Sequence, residues 1–223
     1  MLAGPAKLSQ RRRNVERPAK QVTSEPVADS DDRALVEAFR AGDPQAGTAL
    51  VERHFDGIYR FFRSKVAGDV DDLVQQTFMS CLEARESFRG ECSFRTLVFR
   101  IARRRLHDHY RKKRRDQALD FTTASVRALG TSPSAALQRS DAVAAVRAAL
   151  QELPLEAQTL LELSYWQDLS TSELAQVFEV PLGTIKSRQF AARAELQARL
   201  SARGYELRDG ALNVRRVNQL RRS

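Results

Sequence analysis

The most distinctive chemistry in this sequence is a dense run of basic side chains, which suits the binding of an anion rather than catalysis. From Arg100 to Arg115 there are nine arginine or lysine residues and one acid, so the stretch carries a net charge of +8 in a chain of formal net charge +9. Nucleic acid is the natural partner, because each phosphate that is neutralised releases counterions. A solvated helix end has the same composition, and the run alone leaves both interpretations open.

Apolar residues around this run predict that it is the C-terminal half of a helix. They recur three and four residues apart, at Phe94, Leu97, Val98, Ile101, Ala102 and Leu106. Ser93 is a suitable N-cap, and cations are favoured at a helix C-terminus. Phe94, Phe99 and Tyr110 are candidates to stack on unpaired bases. Aromatic residues at this spacing are more often core residues, and Phe99 is expected to be one.

A second binding motif lies between residues 170 and 200. Ser170 and Glu173 have the spacing of a capping box, and a tight turn over Glu179-Val180-Pro181 separates a short helix from a second helix. This pattern predicts a helix-turn-helix, whose second helix would meet base edges in a major groove through its first turns. The polar residues there are Thr184, Lys186, Ser187 and Arg188. The alternative is a four-helix packing domain without a DNA role.

The third candidate is a small polar surface at the start of the helix that follows Gly68-Asp69. Asp71, Asp72, Gln75 and Gln76 lie away from the apolar face of that helix, and acids in a first turn are also ordinary capping chemistry. The predicted apolar face consists of Leu73, Val74, Thr77, Phe78, Cys81 and Leu82. Adjacent helical residues point about 100° apart, so the two aspartates do not form a metal-binding pair.

Composition and periodicity divide the chain into five segments. They are a disordered basic arm (1–30), a first helical domain (31–115), a flexible polar linker (116–139), a second helical domain with the helix-turn-helix (140–200) and a basic tail (201–223). The predicted fold class is therefore all-α, with two helical domains on a flexible linker. In the first domain an apolar stripe that includes Phe55 also carries His54, which is expected to be structural. In the second domain Trp166 falls on the apolar stripe of a helix over 155–167.

Composition also excludes several classes of function. Two cysteines without metal-ligand spacing and only three histidines argue against a zinc site, so neither metal nor cofactor is expected. The sequence has no phosphate-cradling glycine loop or nucleophile motif, which predicts that the protein is not an enzyme. No apolar run approaches the roughly 18 residues of a membrane span, and no signal-peptide core is present, so a cytoplasmic protein without membrane insertion is expected.

The ordered set of motifs resembles a bacterial extracytoplasmic-function (ECF) sigma factor. The motifs are DDLVQQTF, FRGECSFRTLVFRIARRRLHDHYRKKRR and SELAQVFEVPLGTIKSR, and the resemblance covers about residues 33–200. It implies a dissociable, non-enzymatic RNA polymerase subunit that directs promoter recognition, DNA melting and transcription initiation. It further implies a cytoplasmic bacterial protein that associates with the nucleoid when active, and an anti-sigma factor as a regulatory partner.

The resemblance also assigns residues to partners. The β′ clamp helices of core RNA polymerase would contact Asp71, Asp72, Gln75 and Gln76. The −10 promoter DNA, opened to a single strand, would contact Phe88, Arg89, Phe94, Arg95, Arg100, Arg103, Arg104, Arg111 and Lys112. The −35 promoter DNA would contact Thr184, Lys186, Ser187 and Arg188.

Several positions depart from the family pattern. Leu97 stands where the family usually has Trp, and Arg104 where it often has Asn. Glu179 replaces a turn glycine, so either the turn avoids positive φ or it costs about 1 kcal/mol. The usual Leu and Arg of the recognition helix are replaced by Gln189 and Ala191.

A stand-alone helix-turn-helix regulator that binds duplex DNA is the alternative function. Such a protein would normally dimerise on a palindrome, whereas the sequence contains no heptad pattern or obvious dimer helix. That interpretation also leaves the first domain and DDLVQQTF without a role.

Overall fold

The structure is a computed structural model that describes residues 27–68, 70–85, 92–113, 120–125, 141–207 and 214–216. Those ranges contain eight helices: α1 Val27–Arg40, α2 Pro44–Arg63, α3 Val70–Glu83, α4 Phe94–Lys113, α5 Asp141–Gln151, α6 Leu155–Tyr165, α7 Thr171–Phe178 and α8 Leu182–Ser201. The all-helical class is confirmed, with α1–α4 forming a first domain and α5–α8 a second. None of the described helices is both long enough and apolar enough to cross a lipid bilayer.

Local sequence signals set several helix boundaries. Gly42 adopts a φ of 98° between α1 and α2, and the Asp43 side chain accepts a hydrogen bond from the backbone N–H of Gln45 to cap α2. Ser170 and Glu173 form the predicted capping box, with both reciprocal hydrogen bonds present. Helix α1 begins at Val27, four residues before the boundary that periodicity placed at Asp31.

The first domain packs around the middle of α4. Val98, Ala102 and Leu106 are fully buried against α2, where Ile58 and Phe62 are equally buried. Asp32 of α1 anchors this bundle, because its carboxylate accepts hydrogen bonds from Arg53 at 2.7 Å and pairs with His54 at 2.7 Å. His54 is thus structural, as predicted. Burial alone would raise the pKa of Asp32, but His54 and Arg53 outweigh it and hold that pKa below its ordinary value.

The second domain has its own apolar centre, to which a short hairpin is added. Leu153, Leu161, Leu196 and Leu200 are fully buried between α5, α6 and α8. Strand β1 (Tyr205–Leu207) pairs antiparallel with β2 (Val214–Arg216), and the Tyr205 side chain is buried in this cluster. The hairpin lies in the segment that was predicted to be a basic tail. No hydrophobic periodicity in that segment had indicated a strand.

The two domains are in contact and share part of one core. Phe61 and Phe99 of the first domain belong to the same buried cluster as Leu174, Phe178 and Ile185 of the second. In this contact α4 packs on α7, and Lys65, which follows α2, pairs with Glu162 of α6. The structure therefore holds the two DNA-binding candidates, α4 and the helix-turn-helix, in one compact body.

Residues 120–125, which the sequence places in the linker, pack between the domains. The Phe121 ring stacks on His107 of α4 with ring centroids 4.3 Å apart. Backbone hydrogen bonds join Leu155 N–H to Ala124 O at 2.9 Å and Glu156 N–H to Phe121 O at 3.1 Å. This part of the linker thus connects α4 to the first turn of α6.

Candidate nucleic-acid interface

The turn of the helix-turn-helix forms around a left-handed residue. Glu179 has φ 57° and ψ 44°, and its backbone N–H donates to Ala175 O at the end of α7. The turn therefore does not avoid positive φ, and glutamate accepts a conformation that costs about 1 kcal/mol more than it would for glycine. Val180 N–H also donates to Ala175 O, and α8 starts at Leu182 directly after Pro181.

The first turns of α8 present the predicted base-reading residues to solvent. Lys186, Ser187 and Arg188 are exposed and Thr184 is half-buried, while Ile185 is buried and holds the helix against the core. The space around Gly183 is open, since a Cβ built there meets nothing within 4 Å. A major groove could therefore approach this face without displacing any described residue.

Phe190 extends this face and was missed by reasoning from the sequence. Its side chain is 79% exposed. The signal was available, because Phe190 falls outside the buried spacing of Ile185, Ala192 and Leu196. An exposed aromatic ring one turn beyond Lys186 is suited to apolar contact with a thymine methyl group.

The two departures in α8 have different structural consequences. Gln189 replaces a usual leucine, and its side-chain amide donates to the Ser164 hydroxyl on α6 at 3.2 Å. The polar side chain is therefore accommodated by a partner in the same domain. Ala191 is exposed and offers no charge where the family has arginine.

Helix α3 presents the polar surface that DDLVQQTF predicted. Asp71, Asp72 and Gln75 are exposed, and the half-buried Gln76 donates a side-chain hydrogen bond to Asp72 at 2.6 Å. A polar groove separates this surface from the basic end of α4. Its lining residues are Asp72, Leu73, Gln76, Arg105, Asp108, His109 and Lys112.

The structure corrects two predicted core positions beside this surface. Leu82 and Phe55, both assigned to apolar faces, are each 42% exposed, and Met79 of α3 is 49% exposed. The Phe55 ring stacks on Phe78 with centroids 6.5 Å apart. The polar start of α3 thus continues into an exposed apolar patch, defined by Phe55, Met79 and Leu82. Trp166, also assigned to an apolar stripe, is half exposed at the end of α6.

Helix α4 separates its aromatic residues from its charges. Phe94, Phe99 and Tyr110 are all buried, which is the commoner arrangement for aromatic residues at this spacing, so none of the three offers its ring to a base in this conformation. Phe94 instead contacts the rings of Phe39 and His54, and the Tyr110 hydroxyl donates to Lys65 O at 2.6 Å. Leu97, the departure from tryptophan, is buried as well. Phe88 and Arg89, two further −10 candidates, lie outside the described residues.

The predicted cations of α4 differ in accessibility. Arg104, Arg111 and Lys112 are exposed, whereas Arg95, Arg100 and Arg103 are half-buried. Arg103 is held by the second domain, because its guanidinium donates to both carboxylate oxygens of Glu156 at 3.1 and 2.8 Å. Its Cζ also lies 4.8 Å from the ring centroid of Phe178. Arg104 pairs with Glu179 of the turn.

Two half-buried acids of α6 complete the contacts with the first domain. Glu156 also pairs with His107 Nε2 at 2.7 Å. Glu162 pairs with Lys65, which is fully buried and whose pKa is lowered by that burial. The Lys65 ammonium lies 4.0 Å from the Phe61 ring centroid and donates to Phe61 O at 3.1 Å.

Acidification is expected to weaken the contact between the two domains through Glu156. Burial alone would raise the pKa of Glu156, but His107 and Arg103 outweigh it and hold that pKa below its ordinary value of 4.5. A carboxylate with a lowered pKa stabilises the contact fully above pH 4.5 and loses that contribution as the pH falls below it. Small-angle X-ray scattering should show no expansion above pH 4.5 and increasing expansion as the pH is lowered below 4.5. Glu156→Gln should remove part of this pH dependence, and an identical dependence in both proteins would contradict the assignment.

The described residues contain no arrangement suited to holding a metal ion. Within those ranges, no three His, Cys, Asp or Glu side chains are grouped as ligands. Cys81 is buried, and burial raises the pKa of its thiol to about 12, which makes it a poor nucleophile.

Comparison with known families matches both domains. The Sigma-70 region 2 family matches residues 50–116, and the Sigma-70, region 4 family matches residues 144–196. The chain is 29% identical over 187 residues to the RNA polymerase sigma-H factor of Pseudomonas aeruginosa, covering 78% of this chain and 96% of that one. It is 28% identical over 179 residues to the ECF RNA polymerase sigma-E factor of Haemophilus influenzae, covering 76% and 95%.

Solved structures show the same arrangement of helices. CnrH, solved in complex with the cytosolic domain of CnrY, superposes with a TM-score of 0.57 at 26% identity, covering 77% of this chain and 97% of that one. The sigma factor RpoE of Bartonella quintana, solved with the anti-sigma factor NepR, gives a TM-score of 0.53 at 23% identity, covering 69% and 96%. The second likeness is one of fold alone.

A basic helix in one domain and an exposed recognition helix in the other define a two-domain DNA-binding protein of the transcription machinery. The chain belongs to the extracytoplasmic-function sigma factor family, and it functions as an RNA polymerase sigma factor that directs promoter recognition and transcription initiation. A stand-alone helix-turn-helix regulator is not favoured, because the region 2 match covers most of the first domain.

Proposed function

We propose that the work of this sigma factor is divided among three surfaces, none of which is catalytic. The observation that carries this division is the exposure of three chemically different faces, on α3, α4 and α8, within one chain that matches both sigma regions. Each face suits a different partner. The protein acts wherever core RNA polymerase meets promoter DNA, which places it in the cytoplasm and on the nucleoid when active.

The α3 surface docks on the β′ clamp helices of core RNA polymerase. Asp71, Asp72, Gln75 and Gln76 supply a polar edge at its start. The apolar patch of Phe55, Met79 and Leu82 adds area that gains from removal from water. A polar rim around an apolar centre is the usual arrangement of protein interfaces.

The exposed edge of α4 holds the non-template strand of the opened −10 region. Arg104, Arg111 and Lys112 point to solvent, and Arg95, Arg100 and Arg103 lie beside them. Positive charge along one edge tracks a phosphate backbone without reading its sequence. Because Phe94 and Tyr110 are buried, stacking on a captured base falls to other residues. The candidates Phe88 and Arg89 stay predictions.

Helix α8 reads the −35 element in the major groove. Lys186, Ser187 and Arg188 face outward from its first turns, with Thr184 partly covered and Phe190 one turn further. Among these Arg188 is best suited to specify a base, since arginine can donate two parallel hydrogen bonds to guanine.

Replacing Arg188 tests whether this side chain reads a base or only a phosphate. Arg188→Ala should weaken −35 duplex binding by about 1–3 kcal/mol and relax discrimination at one base pair. Arg188→Lys keeps the charge but loses the planar fork, so it should restore part of the affinity and none of the discrimination. Binding of a panel of single-base duplex variants measures both. Full discrimination in either variant would overturn the base-reading role.

An anti-sigma factor is the proposed regulatory partner. One fold neighbour was solved with an anti-sigma factor, and another with a cytosolic protein domain. Transcription in vitro tests the function as a whole: purified core polymerase should initiate at ECF-type promoters only when this chain is added. Binding to duplex DNA without binding to core polymerase would instead support a regulator that acts alone.

A further inference from the structure

The second domain extends beyond the part that matches its family. The Sigma-70, region 4 match ends at residue 196, whereas α8 continues to Ser201 and the β1–β2 hairpin follows it. From the sequence, this segment was predicted to be a basic tail, and no role was assigned to it. The hairpin is thus an addition to the family domain, and it lies outside the three surfaces on α3, α4 and α8.

The hairpin joins the first and last helices of the second domain. Strand β2 lies against α5, and strand β1 lies against α8. The Tyr205 side chain is only 8% exposed and belongs to the same buried cluster as Leu196 and Leu200 of α8. Next to it, Leu207 N–H donates to the side-chain oxygen of Gln197 at 2.9 Å. A two-stranded hairpin is marginally stable by itself, so these contacts hold it in place.

The turn between α8 and β1 gives the hairpin a fixed starting point. Gly204 has a φ of 76°, a conformation that favours glycine and that turns the chain away from the helix. The Arg203 guanidinium donates to Arg199 O at 2.7 Å and to the carboxylate of Glu152, just after α5, at 2.6 Å. These hydrogen bonds set the direction in which β1 leaves α8.

Helix α8 is held at two widely separated places. Near its start Ile185 packs in the cluster shared with the first domain, whereas its C-terminal half packs in the cluster that contains Tyr205. The most distant buried residue of that half, Leu200, lies ~22 Å from Ile185 along the helix axis. A helix held at two points has a fixed direction, whereas a helix held near one end can tilt. The base-reading residues lie within about one turn of Ile185, so the second contact controls the angle at which they meet a groove.

The positive charge of the C-terminal segment does not reach the recognition residues. Residues 201–223 contain six arginines, one glutamate and one aspartate, which gives a net charge of +4. Gly204 lies ~24 Å from Arg188 along the direction of α8. That distance is about three times the Debye length of about 8 Å at physiological ionic strength, so salt screens this charge from the recognition residues. The hairpin therefore acts on them through packing and not through charge.

We propose that the C-terminal hairpin is a positioning element for the recognition helix, in which Tyr205 fixes the angle of α8. The inference rests on the proposed reading of the −35 element by α8. Binding side chains have to be held within about 0.5 Å of their productive geometry. A tilt of about 10° around Ile185 would move Phe190, which lies ~7.5 Å further along the helix, by about 1.3 Å. Loss of the hairpin contact should therefore disturb base reading although the hairpin itself does not enter the groove.

The test compares variants of the full-length chain at a temperature where circular dichroism shows each of them folded. Tyr205→Ala removes the anchoring ring, Tyr205→Phe retains it, and Glu206→Ala changes its exposed neighbour on β1. The probes are a −35 duplex that the parent protein selects from a randomised pool and the single-base variants of that duplex. Tyr205→Ala should lose about tenfold in affinity for the selected duplex and most of its discrimination against the variants. Tyr205→Phe and Glu206→Ala should match the parent.

A hairpin that only stabilises the domain predicts a different result. Tyr205→Ala would then unfold at a lower temperature but discriminate like the parent while folded, and that outcome would overturn the proposal. If Tyr205→Ala does not fold, Gln197→Ala decides, because it removes the hydrogen bond to Leu207 N–H without emptying the apolar cluster. Its discrimination should fall several-fold, and unchanged discrimination would again overturn the proposal. A parent chain that selects no duplex would instead count against the proposed role of α8.

Discussion

Replacing Glu162 by glutamine is expected to separate the two domains more completely than any other single substitution in the contact. Lys65 is fully buried, and its ammonium group pairs with Glu162 of the second domain. Burial alone lowers the pKa of Lys65, and the Glu162 carboxylate opposes that effect. Removing one partner of a buried pair typically costs about 3–5 kcal/mol, because the remaining charge stays buried without compensation. Opening the interface returns Lys65 to water, so the cost falls on the compact state.

The expected result is a more extended protein whose individual domains stay folded. Scattering would show the expansion, while circular dichroism and the unfolding of the helices would change little. Replacing both members, as Lys65→Met with Glu162→Leu, should restore or tighten the contact, since apolar isosteres of a buried pair are often neutral or stabilising. An extended double variant would contradict this account, and so would a Glu162→Gln protein as compact as the parent.

Much of the fold could be predicted because it depends on local signals. The Asp43-Pro44 start of α2, the capping box at Ser170 and Glu173, and the three- and four-residue spacing in α4 each act within one or two helical turns. The helix-turn-helix and the exposed polar start of α3 followed from the same kind of signal. Such patterns predict which face of a helix is apolar.

Sequence patterns do not predict which other element of the fold packs over an apolar or charged face. Leu82 and Phe55 continue apolar stripes, but no described element packs over them, so periodicity assigned them wrongly to the core. Periodicity placed Phe94 on the apolar face of α4, but it did not show that Phe39 and His54, which lie far away in the sequence, would cover its ring. Arg104 and Glu179 form a pair although they lie 75 residues apart in the sequence. The sequence showed each of them only as a separate departure from the family pattern.

The exposed apolar patch leads to the second prediction with a large effect. Met79→Arg should abolish or strongly weaken binding to core RNA polymerase while leaving the fold and DNA binding unchanged. Met79 is half exposed on α3, one turn before the exposed Leu82 and on the same helix as the polar edge of Asp72 and Gln76. A hot-spot residue near the centre of an interface contributes at least about 2 kcal/mol, roughly 30-fold in affinity, and we expect Met79 to be one. An arginine at this position would also lose its hydration on contact with the partner, which costs binding free energy.

The matched control is Val143→Arg, which introduces the same charge at an exposed apolar side chain of the second domain. Core binding by fluorescence anisotropy should be lost for Met79→Arg and retained for Val143→Arg, and the two proteins should unfold at similar temperatures because neither site is buried. Affinity for a −35 duplex should also be equal in the two, since α3 lies outside the helix-turn-helix domain. If Met79→Arg bound core polymerase as tightly as the control, the apolar patch would lie outside the interface. The polar residues of α3 would then have to account for docking without it.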